Sequence, residues 1–255
     1  MAAQVYAEEE DQPSLLFLIV DAIAFWVKSP LLFWIVTLPI AGLAAAATYL
    51  LEANQSLVDY RGHWGWDFLF ALIYAMFLDR WIKASLLEDA SPCEEVDNLR
   101  RSIVSPRFLG YATFLFLLAM SMAPSRYVEV NIVLWSASAC LFALLLPSLS
   151  AAEPLNLRQA FALGRSLQIH LFLLIAGAIA ISLFAGIGLE RAALYLPDKP
   201  WNAAAVSAVH RVVDCLLLAI IANVLASVFR ELTDWRQPEP DDHPYRHMGL
   251  RRRSS

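Results

Sequence analysis

Charge is what this 255-residue sequence has least of. Asp, Glu, Lys and Arg make up 17% of the chain, against about 25% in an average soluble domain. Hydrophobic residues reach 59%. That balance excludes a disordered chain or a fibrous repeat and disfavours a soluble enzyme. Glycine is scarce, with nine residues, and no phosphate-cradling glycine loop, H-E-x-x-H or G-x-S-x-G is present. Cys93, Cys140 and Cys215 lie far apart without a C-x-x-C pair, which gives neither a disulfide framework nor a zinc site. The net charge of -5 offers no basic face for nucleic acid. The expectation is a protein that is not an enzyme, with no cofactor and no metal.

What the sequence does have is long apolar runs. A spanning helix needs about 20 mostly apolar residues. Six segments qualify: 31–51, 64–82, 108–125, 130–152, 166–189 and 203–229. Four carry no Asp, Glu, Lys or Arg. The second carries Asp67, Asp79, Arg80 and the sixth His210, Arg211, Asp214, all toward the ends, where long side chains reach the head groups. The expected fold is therefore an all-α integral membrane bundle, six transmembrane helices arranged as three hairpins. Residues 1–13, with Glu8, Glu9, Glu10 and Asp11, lack the positive start of a secretory signal and read as a retained acidic tail. Residues 14–235 form the helical domain and 236–255 a polar, basic tail.

Ser14–Lys28 is ambiguous. Ser14, Asp21 and Lys28 repeat every seven residues and line one narrow stripe on an otherwise apolar helix. It reads first as an interfacial helix with its stripe toward water, and second as a seventh span with Asp21 near mid-membrane.

With six spans and both termini cytoplasmic, 14 of the 19 Lys and Arg residues fall inside and five outside, which is the positive-inside bias. Trp64, Trp66, Trp81, Trp201 and Trp235 fall at span edges, where amphipathic rings favour head-group depth. The inward connections are longer than the outward ones. In 156–167, Leu157, Ala160, Phe161 and Gly164 follow i, i+3, i+4, i+7 spacing after a helix start at Pro154 and Asn156. A similar cytoplasmic piece is expected over 97–105. K-S-P-L-L-F-W at 28–34 and R-S-L-Q-I-H-L-F at 165–172 share a cation-Ser-apolar opening, a repeat of pattern rather than of sequence.

The stretch L-L-L-P-S-L-S-A-A-E-P-L-N-L-R-Q-A-F-A-L-G-R-S-L, 144–167, resembles the YciC-like family of bacterial membrane proteins. That family is related to the membrane-anchor domain of some glycerophosphodiester phosphodiesterases. Pro147, Ala160, Phe161 and Ser166 match its order of apolar span, turn, Ala–aromatic amphipathic helix and next span. D-A-I-A-F-W-V-K-S-P-L-L-F, 21–33, resembles its opening helix and span. The resemblance implies a six-span inner-membrane protein. The phosphodiesterase barrel of the fused members has no room here, so it implies no catalytic residues.

The candidate intramembrane polar site is His210, Arg211 and Asp214, which share a helix face at i, i+1 and i+4, with Asn223 deeper on the same helix. Ionisable groups inside a membrane suggest a proton relay or an anion site. The competing reading is structural, with Arg211 snorkelling outward and paired with Asp214, and Asn223 bonding a neighbouring helix. Asp79, Arg80 and Lys83 are expected to pair locally and anchor the second span at the cytoplasmic surface. Gly177, Gly186 and Gly188 suit close helix approach. Pro39 and Pro147 are expected to kink spans. His243 and His247 are four apart, but Pro244 argues against the helix a metal site would need. Arg251–Arg253 suits anionic head groups or plain solvent. Expected partners are the lipid bilayer and another membrane protein or a second copy. Three roles follow: membrane organisation or an accessory subunit, a small transporter or channel using the His210 face, and, with least support, a lipid-modifying enzyme.

Overall fold

The computed structural model describes residues 15–53, 63–88, 94–122, 128–197 and 199–236. The expected acidic tail, the expected outward loops over 54–62 and 123–127, Cys93, His243, His247 and Arg251–Arg253 lie outside the described residues. Ten α-helices follow in order, with no strand among the described residues: α1 Leu15–Lys28, α2 Pro30–Ala53, α3 His63–Leu86, α4 Glu94–Arg101, α5 Pro106–Met122, α6 Val128–Phe142, α7 Leu145–Ser150, α8 Leu157–Leu163, α9 Gln168–Ala193 and α10 Pro200–Thr233.

Three of these are long and apolar enough to cross a membrane: α2, α9 and α10. α3 matches α2 in length, but Asp67, Asp79, Arg80 and Lys83 lower its hydropathy. α5 and α6, at 17 and 15 residues, are shorter than the about 20 that a perpendicular crossing needs. The expected fourth span, 130–152, is not one helix. It breaks at Ala143–Leu144, between α6 and α7. Pro147 accounts for this, because its ring would strike the carbonyl of Ala143 and it has no N–H to give. As third residue of the new helix it costs nothing there, since the first N–H groups of a helix have no intrahelical partner. Pro39, by contrast, sits inside an unbroken α2.

α10 is the central post. Every residue from Ile221 to Phe229 is buried, so this stretch is enclosed on all sides. α2, α3, α9 and α1 pack around it. Tyr74 and Ser85 of α3 face Asp214 and Asn223 of α10, so these two helices run the same way. Ser182 and Gly186 of α9 face Asp214 and His210, so α9 runs opposite. α5 packs between α3 and α6, and Trp135 Nε1 of α6 donates to the Leu115 carbonyl. The hairpin expectation holds for α5–α6 and α9–α10. It fails for α2–α3, which each dock on α10 and scarcely touch each other.

α1 buries Leu18, Ala22 and Phe25, spaced i, i+4, i+7, and exposes Leu16, Phe17, Val20 and Val27. Its outward face is therefore apolar as well, wider than a polar stripe toward water requires. Trp81 of α3 fastens it, with Phe25 edge-on at 5.6 Å, Phe33 of α2 edge-on at 6.0 Å and Phe77 stacked at 5.8 Å. Trp81→Ala opens a cavity where three helices meet. It should cost on the order of 3–5 kcal/mol, read as a lower melting temperature in detergent. A drop equivalent to less than about 1 kcal/mol would mean the site collapses to fill the gap.

α8 begins where the sequence places it. Gln159 Oε1 accepts the Asn156 N–H at 3.0 Å, which satisfies one orphan donor at the helix start. Only Ala160 and Gly164 of its expected apolar face are buried, while Leu157 and Phe161 point outward. A Cβ on Gly164 would lie 3.1 Å from Leu144 Cδ1, so a small residue lets the turn after α8 seat on the α6–α7 break. The piece expected over 97–105 is shifted: α4 runs Glu94–Arg101, and Ser105, which precedes Pro106, is disfavoured from helical backbone.

Candidate functional site

α10 brings His210, Arg211 and Asp214 to the point where α3 and α9 meet it. Asp214 is the acceptor at the centre. Tyr74 Oη of α3 donates to Oδ2 at 3.0 Å, Arg211 Nη1 to the same oxygen at 3.1 Å, and Ser182 Oγ of α9 to Oδ1 at 2.6 Å. Arg211 Nη1 also donates to Tyr74 Oη at 3.2 Å. Its guanidinium lies over the rings of Phe70 and Tyr74, 5.0 and 5.9 Å from their centroids, an arrangement that suits a cation on aromatic faces. Arg211 Nε is buried without a partner. His210 Nε2 lies 3.2 Å from the Ser182 carbonyl. A carbonyl only accepts, so in this contact that nitrogen carries the proton.

The His210 ring occupies the space a side chain at 186 would take. A Cβ on Gly186 would stand 3.0 Å from His210 Cε1. Of the three glycines of α9 singled out in the sequence, only Gly186 admits a close approach. Gly177 and Gly188 are exposed and meet nothing within 4 Å. Gly186→Leu must displace the imidazole and separate α9 from α10. A loss of about 1–3 kcal/mol is expected, measured by unfolding in detergent. An unchanged melting temperature would show that the ring moves aside freely.

Asn223 does not belong to this cluster. It lies nine residues on, about 14 Å down the helix axis, where its Nδ2 donates to Ser85 Oγ of α3 at 3.3 Å. Its Oδ1 is buried without a partner.

A second ionic cluster lies at this deeper level, and the sequence pointed elsewhere for it. Asp79 and Lys83 pair at 2.7 Å across one turn of α3, as the i, i+4 spacing suggests. They are not at an exposed surface: Asp79 is fully buried and Lys83 is 4% exposed. Ser150 Oγ of α7 donates to Asp79 Oδ1 at 2.8 Å, and Lys83 Nζ lies 3.4 Å from the Ser102 carbonyl. The pair thus bolts α3 to α7 and to the segment after α4. Arg80, between them in sequence, is exposed and donates to the Arg100 carbonyl at 2.7 Å. A cation at a helix C-terminus suits the carbonyls there.

Of the two clusters, Asp79–Lys83 is enclosed, while His210 and Arg211 keep partial exposure. Each carboxylate is met by a cation and by hydroxyls from neighbouring helices. Such sets fix helix register and direction. Among the described residues, no group of three His, Cys, Asp or Glu side chains converges as a metal site would require. Tyr74, Ser182 and Ser150 escape sequence reading because a lone hydroxyl in an apolar run is common. Only the helix directions show which carboxylate each one meets.

Helices of membrane-crossing length wound about a buried post define the class as an all-helical bundle compatible with a membrane protein. No family model, curated protein or solved structure matches the chain, so the resemblance to the YciC-like family rests on residues 21–33 and 144–167 alone.

Proposed function

We propose that this chain is a multi-pass protein of the cytoplasmic membrane, without enzymatic activity, that serves as a scaffold or accessory subunit. One observation carries this reading. The ion pairs inside α3 and α10 turn inward, while the outward faces of α1 and α9 are largely apolar. Asp79–Lys83 and Arg211–Asp214 are bolts between helices. α9 has a mean hydropathy of 2.4, yet only 17% of its apolar window is buried. A helix apolar all round and left uncovered by protein needs a non-aqueous solvent.

The same reading keeps six crossings, with α3, α5 and the α6–α7 pair as the three that fall short on apolar length. α3 and α10 run in the same direction, as the second and sixth of six crossings would. The charges of α3 that lower its hydropathy are partly enclosed by other helices, where their cost is offset. Both termini are then cytoplasmic. Exposed Leu157 and Phe161 of α8 and the outer apolar face of α1 suit contact with the membrane interface.

A transporter reading keeps one specific support. The side chains of His210 and Arg211 retain 31% and 27% exposure, so the cluster is not sealed. The two readings separate in one experiment. The full chain, purified in mild detergent and weighed as an intact complex, is expected to hold a protein partner or a second copy in fixed ratio. A lone chain, together with solute flux into vesicles that His210→Gln abolishes, would replace the scaffold reading by the transporter.

A further inference from the structure

The gap left between α2 and α3 is a groove of about 1030 Å³, at the upper end of the about 300–1,000 Å³ of small-molecule pockets. Its two ends differ in chemistry. Along most of its length it is apolar, walled by Ile35, Pro39 and Leu43 of α2 and by Ile73, Met76 and Phe77 of α3. At the other end it is rimmed by Lys28, Arg80, Lys83 and Arg100, with Glu88 as the one carboxylate among the described lining residues. Lys28 takes Glu88 at 3.4 Å, and Lys83 is held by Asp79 behind the wall. Arg80 donates to a neutral carbonyl, so its charge stands. With Glu88 taken by Lys28, no other carboxylate among the described lining residues is left to cancel Arg100.

The dimensions fit one leaflet. From Ser29 to Leu43 the groove follows α2 for about 21 Å, and half of a bilayer of about 40–45 Å, headgroup regions included, is about 20–22 Å. The basic rim sits where α2 begins and α3 ends, which is the level of the head groups. We infer that this groove binds an anionic phospholipid, its phosphate between Arg80 and Arg100 and one acyl chain along Ile35, Pro39 and Met76. The charge left on the rim selects the headgroup, and the apolar walls select a chain. This inference rests on the membrane placement proposed above and not on the scaffold role.

The test is intact-complex mass spectrometry of the full chain in mild detergent, titrated with phosphatidylglycerol or with phosphatidylcholine of the same chains. Phosphatidylglycerol should be retained roughly thirtyfold better, the scale of two cationic contacts to an anionic headgroup. Arg80→Gln with Arg100→Gln should erase that preference, and Arg165→Gln, off the groove, should leave it intact. Met76→Trp, which fills the groove from a half-exposed position, should weaken both lipids. Millimolar inorganic phosphate should not displace the lipid.

Equal retention of the two lipids in the unaltered chain would overturn the inference. So would a preference that survives the double change, or displacement by phosphate, which would mark a bare anion site. If the double variant does not fold, the unaltered chain still decides the question. Phosphatidylglycerol with a photoreactive acyl chain should label peptides containing 35–43 and 73–77, and labelling confined to other segments would overturn it. Selectivity measured this way does not depend on which side of the membrane the rim faces, so it can fail separately from the topology.

Discussion

Asp79→Ala is expected to cost about 3–5 kcal/mol, because it leaves the Lys83 ammonium buried without its counter-charge. Ser150 Oγ loses its acceptor at the same time. Lys83→Ala should cost a similar amount by stranding the carboxylate. The double change Asp79→Leu with Lys83→Met should recover most of the loss, since replacing a buried pair by apolar residues of similar size is often neutral or stabilising. The measurement is unfolding in detergent, by heat or by added SDS, of the unaltered chain and these three variants. If both single variants lose less than about 1 kcal/mol, water reaches the pair and it is not a bolt. If the double variant is as damaged as the sum, the losses come from packing and not from an uncompensated charge.

Asp214→Ala is the second large effect. It removes one acceptor from three donors at once: Tyr74, Arg211 and Ser182. Hydrogen bonds to a charged group contribute about 1.5–3 kcal/mol each, and they are not additive within one network. A net loss on the order of 3 kcal/mol is expected, reduced because the His210 and Arg211 side chains stay partly open to solvent. Asp214→Asn keeps one acceptor oxygen and the shape, so it should lose less than alanine while still uncoupling Arg211. Tyr74→Phe should lose least, because Arg211 and Ser182 still hold the carboxylate. Should the three rank in reverse, the cluster does not hold α3, α9 and α10 together.

How much of this was legible follows from the kind of signal each residue gives. Apolar length marks α2, α9 and α10, and the sequence places their ends within a few residues. The start of α8 at Asn156 was readable because helix-start signals are local, while the Gln159 contact that closes it came from the structure. The break before Pro147 was half readable: proline marks the place, but only the structure shows two helices there rather than a bend. Asp79 and Lys83 announce their pairing through their spacing. Their burial depends on α7 and on the segment after α4, which lie 71 and 19 residues away in the chain. Placing them at an exposed boundary was therefore an error of tertiary packing, not of local pattern. Asn223 could be read as lying deeper on the helix and bonding a neighbour, because axial rise is local geometry; that the neighbour is Ser85 of α3 needed the structure. The α2–α3 groove had no sequence signal, because adjacent spans usually pack as a hairpin, and here α10 takes both.

The central claim is a bundle that crosses the membrane six times with its ends on one side. Cysteine labelling tests it most directly. Cys93, Cys140 and Cys215 are first changed to Ser, and single cysteines are then placed at Gln12, Ser91, Ser125, Leu196 and Ser254. A membrane-impermeant maleimide applied to intact cells should label positions 125 and 196, and should reach 12, 91 and 254 only after permeabilisation. Outside labelling at 12 alone would make α1 a seventh crossing. Outside labelling at 91 or 254 alongside 196 would contradict the six-crossing bundle.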